Sequence, residues 1–353
     1  MATESDLVDR ENLRSFLREH LGEAEEFDVQ RHDQGFSNET LFVSWDDTEL
    51  VIRRPPIGET ADTAHDVLRE YEVVDALQDT DVPVPTTVAA TEDSDIIGVP
   101  FYVMERLDGD VLRYSEPDRF QNSDARAGVG EEMIDTLAAI HSVDYEAVGL
   151  DEFGNPDGFT ARQVERWQGQ FEWAFEETAD SREVPEIAEI GEWLEANVPD
   201  EPAHTLVHGD YKLDNVIFGP DADPELAGVL DWEMSTLGDP LTDLGWFLFF
   251  WLDPVEGEMP SLMQTMAPTF LTDDDYHTRG ELLDRYEEQT GVEVQNLKFY
   301  RVLAVYKMAA LGEMFYARYL MGNSDSTFYA MMEDGVPQLA DHALEIINDE
   351  RPI

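Results

Sequence analysis

The chain has 353 residues, of which 42% are apolar, and its 79 acidic residues outnumber 22 basic ones. The net charge of −57 argues against nucleic acid as a partner, because contact with a phosphate backbone requires basic patches. No cysteine occurs, which excludes disulfides and thiolate chemistry.

The first hundred residues combine a helical pattern with short β-type runs. Apolar residues at helical spacing predict helices at residues 11–21 and 61–78. Runs rich in β-branched and aromatic residues, separated by turn-forming residues, predict the strands. The predicted strands are residues 27–32, 41–45, 49–53, 86–91 and 99–106.

After residue 109 long helical patterns dominate, interrupted by three short β-like pieces. The predicted helices are residues 124–141, 160–177, 186–197, 240–252, 274–289 and 296–321. The predicted strands are residues 205–207, 216–218 and 228–232. The order predicts an α+β protein with two lobes, an N-lobe at residues 1–104, a hinge at 105–109 and a helical C-lobe at 110–353.

One stretch carries a pattern suited to phosphoryl transfer. His208, Asp210 and Asn215 have the spacing HxD-x4-N of a protein-kinase catalytic loop, and Asp231 follows an apolar strand. In such a reaction one carboxylate accepts the proton of the attacking hydroxyl, while an amide oxygen and a second carboxylate hold Mg²⁺ against the phosphates. Taken singly, Asp and Asn are common turn residues, but their combined spacing favours the catalytic interpretation.

These motifs resemble those of the aminoglycoside phosphotransferase and choline kinase family. The continuation at residues 233–240, EMSTLGDP, resembles the kinase-like domain associated with acyl-CoA dehydrogenases. The resemblance covers residues 10–345 and implies a protein-kinase-like fold with ATP and Mg²⁺ as cofactors. It implies that Asp210 is the catalytic base, that Lys212 neutralises the γ-phosphate, and that Asn215 and Asp231 bind the metal. Only three lysines occur in the chain, so Lys212 beside the base favours a specific role.

The N-terminal part contains the expected parts of a nucleotide site. A turn at residues 34–40 lies between two predicted strands, as a phosphate-covering turn should. Arg53 ends the third strand in the position usually held by Lys, which changes the phosphate contact because guanidinium binds as a planar fork. The predicted nucleotide-binding residues are Gly35, Phe36, Ser37 and Asn38 in the turn, Arg53 with its helix partner Glu70, and Glu105 and Leu107 in the hinge.

Other polar residues have structural alternatives. His208 is interpreted as bracing the catalytic loop, and Asp239 as capping the helix that begins near Pro240. Asp243 is expected to hydrogen-bond the loop backbone. Lys307 either extends to the surface or faces the cleft and holds an anionic group of the substrate.

The resulting prediction is an ATP-dependent phosphotransferase acting on a small-molecule hydroxyl. Its close relatives suggest a hydroxy acid or hydroxyacyl-CoA as acceptor, while aminoglycosides, sugars and amino alcohols stay open. A non-catalytic nucleotide-binding regulator is an alternative of another class, favoured by Arg53. A third alternative is a metal-dependent hydrolase using His204 and His208.

The acidic residues are spread along the whole sequence, and this distribution suggests an environment of high salt. At about 1 M salt the Debye length is about 3 Å, which screens the repulsion within such a surface. The composition, with 18 Phe, 12 Tyr and 7 Trp, argues against disorder. We therefore expect a halophile-type protein of the cytoplasm. No membrane partner is expected, because the apolar run at residues 244–252 is too short to span a bilayer.

Overall fold

A five-stranded antiparallel sheet forms the N-terminal part of the protein. The computed structural model describes residues 8–32, 38–55, 67–200, 204–253 and 261–351. The strands pair in the order β1-β2-β3-β5-β4. Their bounds are β1 Phe27–His32, β2 Glu39–Trp45, β3 Thr48–Arg54, β4 Thr87–Thr91 and β5 Phe101–Glu105.

Helices cover both faces of this sheet. Alternate residues of β2 (Leu41, Val43 and Trp45) are buried in the cluster that also contains Leu13 and Leu17 of α1, Arg10–Leu21. Helix α2, Val67–Ala76, packs on the opposite face, where its first residue joins a second buried cluster. The period-two alternation of the strands therefore separates two apolar clusters and turns α2 toward the rest of the protein.

The remaining chain is mainly helical and surrounds two small antiparallel strand pairs. The pairs are β6–β9 and β7–β8, with β6 at Thr205–Val207, β7 at Val216–Phe218, β8 at Leu226–Val229 and β9 at Thr236–Gly238. Helix α10 is central and packs against α5, α7 and α11. The helices are α3 Ser94–Ile97, α4 Ser123–His141, α5 Phe159–Thr178, α6 Glu186–Ala196, α7 Pro240–Phe250, α8 Ser261–Met266, α9 Arg279–Thr290, α10 Leu297–Leu320 and α11 Thr327–Ile347.

This architecture confirms the predicted α+β fold, with differences in detail. The helix expected at 274–289 begins at Arg279, because Thr278 and Glu281 form a capping box there. The strand expected at 228–232 ends at Val229, and helix α11 was not predicted. Residues 61–66 of the helix expected at 61–78 lie outside the described residues. In the part of the chain described above, no helix has the length and apolar character needed to cross a bilayer.

Candidate active site

The loop after β6 is held by one buried carboxylate. Asp243, in the first turn of α7, accepts hydrogen bonds from the backbone N–H of His208 at 2.5 Å and of Gly209 at 2.8 Å. Gly209 has a φ of +83°, and a Cβ there would lie 2.6 Å from the Met234 carbonyl oxygen. The expectation that Asp243 binds the loop backbone is therefore confirmed, and the loop requires glycine beside it.

His208 is fully buried, and both of its ring nitrogens contact the backbone. Its Nε2 lies 2.9 Å from the Leu230 carbonyl oxygen, and the Asp210 backbone N–H donates to Nδ1 at 3.2 Å. Burial lowers the pKa of His208, so the ring is neutral, with the proton on Nε2. His208 therefore braces the loop, as expected, and its nitrogens are not available to a metal.

Three side chains hold the carboxylate of Asp210. Trp246 Nε1 donates to Oδ1 at 2.8 Å, while Asn215 Nδ2 donates to Oδ2 at 2.9 Å. Lys212 Nζ forms a short ion pair with the same Oδ2. The loop and α7 thus fix both oxygens of a carboxylate whose side chain is 23% exposed.

Two of the three lysines in the sequence set the charge around this carboxylate. Burial would raise the pKa of Asp210, but Lys212 and Lys307 outweigh that effect and hold it below its ordinary value. Lys307 donates to the Gly209 carbonyl oxygen at 2.6 Å, and its Nζ lies 3.7 Å from the Trp246 ring centroid. Asp210 is therefore ionised.

Asn215 and Asp231 present oxygen atoms suited to a hard divalent cation. Asn215 directs its amide nitrogen to Asp210, and its Oδ1 accepts no hydrogen bond from a described residue. Asp231 follows the β7–β8 hairpin by one residue and has φ +66° and ψ +56°, a left-handed conformation that is uncommon for residues other than glycine. Amide and carboxylate oxygens of this kind fit Mg²⁺.

Arg53 joins the sheet to this carboxylate. Its Nε lies 3.3 Å from Glu70 Oε2, its Nη1 donates to Thr40 Oγ1 at 3.0 Å, and its Nη2 lies 3.1 Å from Asp231 Oδ1. Burial alone would lower the pKa of Arg53. The charges of Glu70, Tyr102 and Asp231 outweigh that effect and hold the pKa above its usual value. The predicted pair between Arg53 and Glu70 exists, and Glu70 is only 2% exposed.

The predicted hinge lies at the end of β5. Glu105 donates its backbone N–H to the Thr86 carbonyl oxygen at 2.8 Å, while the backbone N–H and carbonyl of Leu107 bond to no described backbone group. The Leu107 side chain packs on β8, where a Cβ on Gly228 would lie 2.3 Å from its Cδ1. Leu107 thus combines a peptide group open to a ligand with an apolar side chain.

Only one of the four residues predicted in the phosphate-covering turn can be placed. Gly35, Phe36 and Ser37 lie outside the described residues. Asn38 is 5% exposed, and its Nδ2 donates to Glu233 Oε2 at 3.3 Å. This contact joins the turn to the segment directly after Asp231.

Comparison with known proteins identifies the family. Residues 28–281 match APH, the phosphotransferase enzyme family. A Ralstonia eutropha protein of known structure, provisionally named an aminoglycoside phosphotransferase, is 30% identical with a TM-score of 0.83, over 97% of this chain and 99% of that one. The chain belongs to the APH phosphotransferase family. It is therefore a phosphotransferase, that is, a kinase, as predicted.

Curated relatives of this APH chain contain a similar sequence as part of a longer protein. Acyl-CoA dehydrogenase family member 11 of Rattus norvegicus is 31% identical over 96% of this chain and 43% of its own length. Acyl-CoA dehydrogenase family member 10 of Mus musculus is 32% identical over 90% of this chain and 29% of its own length. The chain spans less than half of these relatives, and the predicted resemblance to the kinase-like region linked to acyl-CoA dehydrogenases is confirmed.

More distant APH structures share the fold. A spectinomycin phosphotransferase solved with ADP and spectinomycin is 12% identical, with a TM-score of 0.56 over 96% of this chain and 99% of that one. A GDP complex of an aminoglycoside 2′-phosphotransferase is 13% identical, with a TM-score of 0.64 over 95% of this chain and 99% of that one.

Two residues near the loop of Asp210 make contacts that the sequence pattern did not predict. Trp246 lies in the apolar run at residues 244–252, a pattern typical of core residues, yet its indole N–H donates to Asp210. Asp239 does cap α7, through the Leu241 N–H at 3.0 Å, and also accepts from Thr160 at 3.0 Å and Tyr300 at 2.6 Å. The aromatic run gave no signal for Trp246, because helical spacing alone does not reveal which indole N–H faces a carboxylate.

Proposed function

We propose that this APH enzyme transfers the γ-phosphate of ATP to the hydroxyl group of a small molecule, with Asp210 as the catalytic base. The observation that carries the proposal is the setting of Asp210. Its two oxygens are held by Trp246, Asn215 and Lys212, and the surrounding lysines keep it ionised. An ionised carboxylate fixed in this way is suited to accept a proton at a defined point.

On the nucleotide side, Arg53 and Glu70 orient the phosphates. The guanidinium is held on one side by Glu70 and Thr40, so its remaining donors are directed into the cleft toward Asp231. The adenine edge binds the backbone of the hinge from Glu105 to Leu107, where the N–H of Glu105 is already bonded to Thr86 and the peptide groups of Leu107 are open. Residues 34–40 cover the phosphates. The chain is proposed to divide into an N-lobe at 1–104, a hinge at 105–109 and a C-lobe at 110–353.

Asn215 and Asp231 would hold Mg²⁺, which in such enzymes neutralises charge on the β- and γ-phosphates. The fit rests on the unused Oδ1 of Asn215 and on the Asp231 carboxylate, whose side chain is 33% exposed. Among the structures of this fold, some were solved with GDP and one with ADP, which agrees with a nucleotide site.

In the transfer step, the acceptor hydroxyl oxygen bonds to the γ-phosphorus while its proton passes to Asp210. The bond between the γ-phosphorus and the oxygen bridging to the β-phosphate breaks, which releases ADP. Lys212, paired with Asp210 Oδ2, balances the negative charge on the transferred group. The products are ADP and a phosphate monoester of the acceptor.

We further propose a hydroxy acid or a hydroxyacyl-CoA as the acceptor. The similarity to acyl-CoA dehydrogenase family members supports this class. Aminoglycosides are the competing class, because a kanamycin complex of an aminoglycoside phosphotransferase shares the fold. The acidic composition supports a salt-rich cytoplasm as the place of action.

The direct test incubates the protein in molar KCl with ATP, Mg²⁺ and a pool of hydroxy acids, hydroxyacyl-CoAs, sugars, aminoglycosides and amino alcohols. Mass spectrometry then searches for a product heavier by one phosphoryl group. The expected product depends on ATP and disappears when a chelator removes Mg²⁺. A folded protein that binds no nucleotide and forms no such product would contradict the proposal.

A further inference from the structure

Lys307, on α10, is a partly buried cation whose Nζ contacts a backbone carbonyl and two indole rings. Its Nζ donates to the Gly209 carbonyl oxygen at 2.6 Å and lies 3.7 Å from the ring centroid of Trp246 and 5.8 Å from that of Trp167. Within the described residues no carboxylate oxygen comes within 4.0 Å of it. In a chain with 79 acidic residues, a partly buried lysine with no carboxylate of a described residue in direct contact requires a separate explanation.

A second cation, Arg166, lies close enough to Lys307 to lower its pKa. The Arg166 guanidinium, on α5, stacks over Trp167 at 5.1 Å and makes no hydrogen bond or ion pair with a described residue. Other arginines in the helical part of the protein differ, because Arg182 binds Glu313 at 2.7 Å and Arg285 binds Asp135 at 2.7 Å. Arg166 is exposed, so a ligand can reach its guanidinium, and the partial desolvation by its neighbours lowers its pKa.

The charges around Lys307 are mixed. Burial lowers its pKa to about 8, Asp210 and Asp243 oppose that shift, and Lys212 and Arg166 add to it. Both acids are already bound elsewhere, Asp210 by Trp246 and Lys212, and Asp243 by the loop backbone. A negative group supplied by a ligand would therefore stabilise this cluster.

The indole of Trp246 places this cluster next to the proposed catalytic base. Its Nε1 donates to Asp210 Oδ1 at 2.8 Å, and Lys307 lies over the same ring. Lys212 occupies the other oxygen of Asp210. Lys307 is therefore separated from Asp210 by one aromatic ring, a position suited to contact an acceptor whose hydroxyl reaches Asp210.

We propose that Lys307 and Arg166, with the rings of Trp246 and Trp167, form an oxyanion subsite for the acceptor. The proposal rests on the proposed function, and it states that the acceptor carries a carboxylate or a phosphate in addition to its hydroxyl. Lysine and arginine beside indole rings bind such groups by charge-assisted hydrogen bonds, while they repel ammonium groups. Cationic acceptors such as aminoglycosides and amino alcohols are disfavoured at this site.

The first experiment compares matched acceptors that differ only in one end group. Straight-chain hydroxy acids with two to six carbons between hydroxyl and carboxylate are paired with the diol, the amino alcohol and the hydroxyalkyl phosphate of equal length. Binding is measured by calorimetry with the non-hydrolysable nucleotide AMP-PNP present. We expect acids or phosphates to bind at least about tenfold more tightly than diols, as one charge-assisted hydrogen bond implies. The proposal would be overturned if acids and diols bound equally, if amino alcohols bound more tightly, or if none of the anions bound. Comparing the affinity of the acid with that of the phosphate then identifies the preferred anion.

The second experiment replaces Lys307→Met and, as a matched control on the same helix, Lys298→Met. Lys298 is 38% exposed and pairs with Asp349 near the C-terminal end of α11. Loss of the subsite should remove the preference for anions in Lys307→Met only. If Lys307 had only a structural role, Lys307→Met would weaken the binding of the acid, the diol and the amino alcohol equally. That result would contradict the proposal.

The two proposals fail in different ways. AMP-PNP binding and phosphoryl transfer to any acceptor are measured for the same proteins. Transfer to neutral or cationic acceptors without a preference for anions would overturn the subsite and leave the kinase function standing. Absence of nucleotide binding would overturn the proposed function itself.

Discussion

Arg53 Nη2 lies 3.1 Å from Asp231 Oδ1, so the third strand of the sheet contacts a carboxylate of the helical part directly. The same guanidinium is anchored by Glu70 and Thr40 within its own part of the molecule. A metal ion at Asp231 would compete with Arg53 for the carboxylate. Nucleotide and metal binding are therefore expected to redirect the guanidinium from Asp231 toward the phosphates.

Replacing Arg53→Lys should weaken nucleotide binding. The three contacts of Arg53 leave from three nitrogens in different directions, and an ammonium group cannot reproduce that fork. We expect KM for ATP to rise about tenfold, equivalent to one charged hydrogen bond. Arg18→Lys on α1, where the side chain is 50% exposed, is the matched control. An unchanged KM in Arg53→Lys would show that the fork is not needed.

Gly209→Ala should destabilise the protein more than Gly149→Ala. Both glycines have a φ of +83°, so each alanine carries the cost of a left-handed backbone, roughly 1–2 kcal/mol. A Cβ at Gly149 meets nothing within 4 Å, whereas at Gly209 it lies 2.6 Å from the Met234 carbonyl oxygen. That clash should lower the free energy of unfolding of Gly209→Ala by about a further 1–3 kcal/mol. Urea denaturation of both variants measures the difference. Equal losses would mean that the loop can move away from Met234.

Binding of an anionic acceptor should weaken as the pH rises through about 8, the pKa to which burial lowers Lys307. Asp210 and Asp243 oppose this shift, while Lys212 and Arg166 add to it. At pH 9 about one-tenth of the lysine stays charged, so KM for an acid should rise several-fold between pH 7 and 9. The diol of equal length supplies the baseline, and a parallel rise for acid and diol would contradict this assignment.

The same lysine predicts a pH effect on stability. Its pKa in the folded state, about 8, lies below the ordinary value of 10.5, so between these values the unfolded state binds more protons. The cost of the buried charge is therefore present below pH 8 and is relieved as the pH rises toward 10.5. The free energy of unfolding of Lys307→Met, measured against the wild-type protein over this range, should lack that rise. A difference that stays constant with pH would argue against the titration of Lys307.

Salt should stabilise the protein. With a net charge of −57, repulsion within the folded state falls as the Debye length shortens from about 10 Å at 0.1 M to about 3 Å at 1 M. We expect the melting temperature, measured by calorimetry, to rise steeply over this range of KCl. A melting temperature independent of KCl would remove the support for a salt-rich environment.

The grouping of Asp210, Asn215 and Asp231 was predictable because spacing along the chain and position in space coincide there. Asp210 and Asn215 lie on one loop, and Asp231 follows the strand pair that the loop leads into. The contacts of Lys307 were not predictable, since they depend on α10 packing against α5 and α7, far away in sequence. The sequence left the role of Lys307 open between surface and cleft, and packing places it over Trp246.

Helix α11 was missed for a local reason. Gly335 and Pro337 lie inside it, and both residues lower helix propensity. Burial of its apolar face against α10 outweighs that cost. The strand predicted at 228–232 failed for the opposite reason, because the apolar pattern continues to Leu230 while Asp231 turns into a left-handed conformation. Tertiary packing and a special backbone conformation are both invisible to a local pattern.

The most direct test of the central claim is Asp210→Asn, with Asp221→Asn on the β7–β8 turn as the control. The amide keeps an acceptor for Trp246 Nε1 but cannot take up a proton at neutral pH. We predict that AMP-PNP binding, measured by calorimetry, stays within about twofold, while phosphoryl transfer from ATP falls by about 10²–10⁴-fold, as loss of a general base implies. Full transfer activity in Asp210→Asn, with the control also active, would contradict the assignment of Asp210 as the catalytic base.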